Sequence, residues 1–136
     1  MRYLLDSNIW IKLLQARDMR LVDRFARAEP SEITSCAPVR AELLYGAAKY
    51  DNPGKRRIMV EEILSLYPSI PFDDRCAEAY AKIRHALEKE RSVIGPFDLQ
   101  IAAIALSHNL IVVTGNVREF GRVHGLKVEN WLDMDG

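Results

Sequence analysis

Short apolar runs alternate along the chain with longer segments in which apolar residues recur every three or four positions. Tyr3, Leu4 and Leu5 form a run that stops at Asp6, and Ser7, Asn8 and a mixed segment from Ile9 to Leu14 follow. That pattern predicts a buried strand feeding a helix. Between Asp18 and Ala28, Leu21, Val22 and Phe25 mark one apolar face, with Arg17, Arg20, Arg24 and Arg27 recurring beside it. An amphipathic helix with a basic stripe is the expectation there. Ile33 to Cys36 predicts a second strand, and Pro38 suits the first turn of a helix running through Glu42 to about Lys49.

Asn52-Pro53-Gly54 reads as a loop and a helix start, ahead of the apolar spacing of Ile58, Ile63 and Leu66. Pro68 and Pro71 bracket a short extended piece, after which Asp73 or Asp74 can cap a helix carrying Cys76, Tyr80, Ile83 and Leu87 on one side. Pro96 opens a further helix, with Phe97, Ile101, Ile104 and Ala105 facing inward and Asp98 in the first turn. Leu110 to Val113 is the clearest strand, ending at Thr114, Gly115 and Asn116. A turn around Glu119 and Phe120 and a weak strand near Lys127 to Glu129 precede Trp131. Strands and helices in this order predict a central, mostly parallel sheet with helices on both faces. Ligands of such sheets bind beyond the carboxyl ends of the strands, which directs the search for chemistry.

With 136 residues, 49% hydrophobic and 28% charged, the chain fits one domain, 1–136, with one core. Asp6 interrupts the first apolar stretch and Lys12 the second, so nothing approaches the ~20 apolar residues that span a bilayer. Met1 and Arg2 lead into only three apolar residues with no cleavage-like segment behind them, so no signal peptide and a cytoplasmic protein are expected. Cys36 and Cys76 are too few and too far apart for a disulfide framework or zinc site, and two buried free thiols are expected. Nineteen Lys and Arg balance nineteen Asp and Glu, so nucleic-acid binding would have to come from a local patch.

Asp6 ends the first strand and Asn116 follows the best later one, so parallel packing places both at one sheet edge. Helices starting at that edge would bring Glu42 and Asp98 to the same place. Crowded carboxylates raise one another's pKa unless something positive neutralises them, and a divalent cation is the obvious candidate. An all-oxygen ligand set selects Mg2+ or Mn2+, typical of sites that hydrolyse phosphodiesters. Each residue also has a plainer reading: Asp6 as a helix cap, Asp98 as a partner for the helix dipole, Glu42 as solvated surface, Asn116 as a turn residue. The joint pattern carries the argument.

The start Tyr3-Leu4-Leu5-Asp6-Ser7-Asn8, the helical Glu42, the segment Gly95-Pro96-Phe97-Asp98-Leu99-Gln100-Ile101-Ala102-Ala103 and the stretch from Thr114 to Phe120 resemble PIN-domain ribonucleases. Within that family the chain is similar to VapC-type toxins of toxin-antitoxin systems, over Tyr3 to Trp131. The resemblance implies an α/β/α sandwich, a Mg2+- or Mn2+-dependent endoribonuclease acting on RNA such as transfer RNA, a homodimer, and a cognate VapB-like antitoxin that blocks the groove. On that mapping Asp6 and Asp98 are the principal metal ligands and Glu42 completes the triad as ligand or general base. Many members carry a fourth Asp where this chain has Asn116, which adds no negative charge. Glu119 would compensate in part, with Thr114 and Asn8 as auxiliary polar groups.

Arg17, Arg20, Arg24 and Arg27, with Lys49, Lys55, Arg56 and Arg57, are candidates for phosphate contacts, against the plainer reading of solvated helix faces. His85, His108 and His124 show no spacing that suggests metal binding or paired proton transfer. A phosphatase-like reading, with Asp6 as nucleophile, is disfavoured by Asn8, where a second Asp would be needed. A PIN-like domain that binds RNA or protein without cutting is the other alternative, kept open by Asn116.

Overall fold

The computed structural model describes residues 1–49 and 52–132. Its strands are β1 (Tyr3–Leu5), β2 (Ile33–Cys36), β3 (Ser69–Ile70), β4 (Ile111–Val113) and β5 (Val128–Glu129). The helices are α1 (Ser7–Gln15), α2 (Met19–Arg27), α3 (Ala37–Ala48), α4 (Pro53–Leu64), α5 (Asp74–Lys89), α6 (Pro96–Ser107) and α7 (Val117–Phe120). Every strand pairing is parallel, and the sheet order is β3-β2-β1-β4-β5. The winding direction therefore reverses between β1 and β4. At such a reversal the connections leave on opposite faces and open a crevice at the strand ends.

Local chemistry explains where the elements start. Asp18, Asn52 and Asp73 each accept a backbone N–H from the first turn of the helix they precede, with Pro53 at the first helical position of α4. Asp73 is the cap of α5, and Asp74 is its first residue. Both faces of the sheet are covered: Leu4, Leu5, Ile33, Cys36, Val112 and Val113 are all buried. Helix α6 is buried on nearly every side, with Leu99 and Ile101 through Ala105 inaccessible. The inward set expected from the sequence is right but too small, because an almost wholly apolar helix shows no polar face to read. Cys36 and Cys76 are free and buried, and burial pushes the Cys36 thiol up to about 12. Among the described residues, no helix is long and apolar enough to cross a membrane.

Candidate active site

The site grows from the ends of the two strands at the reversal. Leaving β1, the Asp6 N–H still donates to Val113 of β4, at 2.9 Å, so the residue is held in the sheet while its φ of −68° and ψ of 161° release the chain into α1. Asp6 caps that helix: Oδ1 accepts from the Ser7 N–H at 2.7 Å. Oδ2 accepts from the Thr114 hydroxyl at 2.8 Å. Asp6 is only 6% exposed. Burial raises its carboxyl pKa above the ordinary value, and the bonds from Thr114 and Ser7 oppose that rise. A carboxylate has about four acceptor positions, so these two bonds leave capacity for a further positive partner.

Thr114 and Asn116 extend the network. The Thr114 hydroxyl accepts from the Asn116 N–H at 3.0 Å, and the Asn116 side-chain amide donates to Asp98 Oδ2 at 3.2 Å. Asp98 lies in the first turn of α6, placed there by Gly95 at the cap and Pro96 at the first helical position. Its carboxyl is pushed up to about 7, first by burial, then by the negative charge of Asp6 and by charge and hydrogen bonding from Glu119 of α7, against the pull of Asn116. Three segments thus converge on one cluster: Asp6 at the end of β1, Asp98 at the start of α6, and the stretch after β4 that carries Thr114, Asn116 and Glu119.

Glu42 does not join this cluster. It is exposed on α3, where it lines a groove with Ile11, Gln15, Arg56 and Met59, and it is not among the groups that press on Asp98. Of the three acids expected to crowd together, Asp6 acts on Asp98, and Glu119 of α7 presses on Asp98 as well. Among the described residues no three His, Cys, Asp or Glu side chains form a ready-made metal-holding group. Asn8 is exposed in the first turn of α1, outside the network.

The donors present suit a hard cation. They are carboxylate and amide oxygens, and the burial and neighbouring negative charge that lift Asp98 are what a divalent ion at this point would offset. The Ser7 hydroxyl, next to Asp6, is buried with no hydrogen-bond partner among the described residues, a signal that residue type alone did not single out. The basic residues divide. Arg17, Arg20 and Arg27 are exposed, whereas Arg24 is half-buried and engaged with Tyr3, Glu129 and Trp131. Arg57 pairs with Glu61 at 3.2 Å, and Lys49 lies over the Tyr45 ring at 4.3 Å.

Comparison with known proteins accords with this arrangement. The PIN domain family model matches residues 3–126. Ribonuclease VapC2 of Haemophilus influenzae is 36% identical over 97% of this chain and 99% of its own length. A tRNA(fMet)-specific endonuclease VapC of Shigella flexneri is 34% identical over 96% and 98%. The crystal structure of DNA-bound VapBC from Salmonella typhimurium contains a chain that superposes with a TM-score of 0.90 at 31% identity, covering 96% of this chain and 98% of that one. VapBC2 from Rickettsia felis, bound to a promoter DNA fragment, matches with a TM-score of 0.87 at 30% identity, covering 96% and 99%. This chain belongs to the PIN-domain family and, within it, to the VapC ribonucleases.

Proposed function

We propose that this chain is a Mg2+- or Mn2+-dependent endoribonuclease, the toxin of a VapBC-type pair, which hydrolyses phosphodiester bonds of RNA in the cytoplasm. The observation that carries the metal dependence is the Asp98 carboxyl, pushed up to about 7 by burial and by Asp6 and Glu119. Buried carboxylates pressed on by like charge support a cation as their counterion. Asp6 and Asp98 would hold it, with Glu119 or the Asn116 oxygen completing the set. When bound, the ion would supply positive charge against the phosphate and acidify a water.

The chain's own groups do the rest. Thr114 holds Asp6 in one orientation, and the Asn116 amide does the same for Asp98. Glu42, exposed on the groove beside Ile11 and Met59, keeps the two roles the resemblance implies, ligand or general base. Arg17, Arg20 and Arg27 would meet RNA phosphates. Names of relatives make transfer RNA the first substrate to try. Because solved relatives are VapBC complexes, a VapB-like antitoxin is the proposed partner, covering the groove that Glu42 lines beside Ile11 and Met59. A homodimer of the chain completes the proposed assembly.

The test is incubation of pure protein with mixed cellular RNA in Mg2+, in Mn2+ and in chelator, beside Asp6→Asn and Asp98→Asn. Metal-dependent cleavage lost in both variants is expected. Cleavage that survives the chelator, or is equal in the variants, rejects the mechanism. RNA binding without cutting under either metal favours a non-enzymatic PIN-like module.

A further inference from the structure

The basic stripe of α2 contains one residue that behaves unlike the rest. The Arg24 guanidinium lies over the Trp131 ring, 4.3 Å from its centroid, and also faces the Tyr3 ring at 5.4 Å. It donates to the Tyr3 hydroxyl at 3.1 Å and stands 3.8 Å from Glu129 Oε1. Trp131 is buried, meets Tyr3 edge-on at 4.9 Å and donates its indole N–H to the same Glu129 oxygen at 2.9 Å. Arg24 is thus enclosed by two aromatic faces and a carboxylate, an arrangement that needs a planar guanidinium.

What this clasp holds matters for the site. Strand β5 is two residues long and lies at the sheet edge, too short to be secure by its own ladder. Yet its Glu129 carbonyl accepts the Thr114 N–H at 3.0 Å, the residue whose hydroxyl orients Asp6. The next residues pack on the same turn: a Cβ added to Gly115 would lie 2.8 Å from Leu132 Cδ1. The segment from Glu129 to Leu132 therefore backs the Thr114-Gly115-Asn116 turn, and Arg24 pins that segment to α2 and β1.

We infer that Arg24, acting through Glu129, Trp131 and Leu132, is a positioning residue that fixes the Thr114-Gly115-Asn116 turn and so the orientation of Asp6 and Asp98. It is not a phosphate contact, contrary to the expectation from its place in the arginine stripe. The inference rests on the proposed nuclease reading for its effect on catalysis, but its structural part stands by itself. A side chain that merely anchors the chain end would change the melting temperature and leave the turn as it is.

The experiment compares wild type, Arg24→Ala and Leu132→Ala by amide hydrogen exchange, Mn2+ binding, and RNA cleavage at several salt concentrations. Leu132→Ala carries no charge change and serves if Arg24→Ala does not fold. Exchange at Thr114 and Asn116 is expected to quicken in both variants, while Leu4 in β1 keeps its protection. Mn2+ affinity and kcat should each fall roughly tenfold, within the range seen when the partners of metal ligands are removed. KM and its salt dependence should stay as in wild type. A higher KM with a flatter salt slope and unchanged exchange would make Arg24 an RNA contact and overturn the inference. A lower melting temperature with exchange at Thr114 and Asn116 unmoved would reduce it to a chain-end anchor, and overturns it too. If wild type cuts no RNA under either metal, the nuclease reading fails, while the exchange and Mn2+ data still decide the role of Arg24.

Discussion

Thr114 donates its hydroxyl proton to Asp6 Oδ2 at 2.8 Å, joining residues 108 positions apart at the ends of the two neighbouring strands where the sheet reverses. The same hydroxyl oxygen accepts the Asn116 N–H, so one fully buried group serves both halves of the site.

Thr114→Val keeps the shape and removes both bonds. It should destabilise the fold by about 1 to 3 kcal/mol, because Asp6 and the Asn116 amide each lose a partner near the core. Urea unfolding measures this. Thr114→Ser should recover most of the loss, and equal stability of the Val variant would mean the hydroxyl contributes nothing.

The Asp98 carboxyl, lifted from 3.8 to about 7, makes stability depend on pH. Well below its unfolded pKa the group is protonated in both states and makes no difference. As pH rises toward 7 the unfolded chain gives up the proton first, so the folded state is progressively disfavoured, and the penalty is complete above the folded pKa. In chelator, Asp98→Asn should therefore melt higher than wild type at about pH 8 and not at about pH 4. Added Mg2+ should raise the wild-type melting temperature near pH 8 and leave that of the variant almost unchanged.

Glu42 and Glu119 should separate in their effects. Glu119→Gln removes a charge that presses on Asp98, so the Asp98 pKa should fall and Mn2+ affinity should weaken. Glu42→Gln, outside that cluster, should lower kcat while leaving Mn2+ affinity near wild type. Calorimetric Mn2+ titration beside cleavage kinetics makes the comparison, and loss of Mn2+ binding in Glu42→Gln would restore it to the ligand set.

Salt dependence reads the basic surface. Replacing Arg17, Arg20 and Arg27 together with Ala should reduce the slope of log affinity against log salt by about 2 for single-stranded RNA, roughly 0.7 for each phosphate no longer neutralised. An unchanged slope would clear all three of a role at the RNA backbone.

Much of this architecture is legible in residue order. Asp6 and Asp98 stand out because a carboxylate at a strand end and another in a helix's first turn must meet when the strands run parallel. The Asn116 position follows from the same rule, and the structure adds its bond to Asp98. Glu42 is harder, because helical register alone does not say how far a side chain stands from the strand ends. Arg24 looks like its neighbours in the stripe because its partners, Tyr3, Glu129 and Trp131, are distant in sequence and only the fold assembles them. Glu119 is expected from the family resemblance as a substitute for a missing acid, and its pressure on Asp98 is what the structure shows.

Asp6 and Asp98 meet at the sheet reversal, and on the proposed reading a divalent cation would be held by both. Carbon NMR of the Asp98 carboxyl across pH, with and without Mg2+, tests it most directly. Titration near 7 without metal and a marked fall when Mg2+ is added are expected. Titration at the ordinary value of 3.8, indifferent to Mg2+, would contradict it.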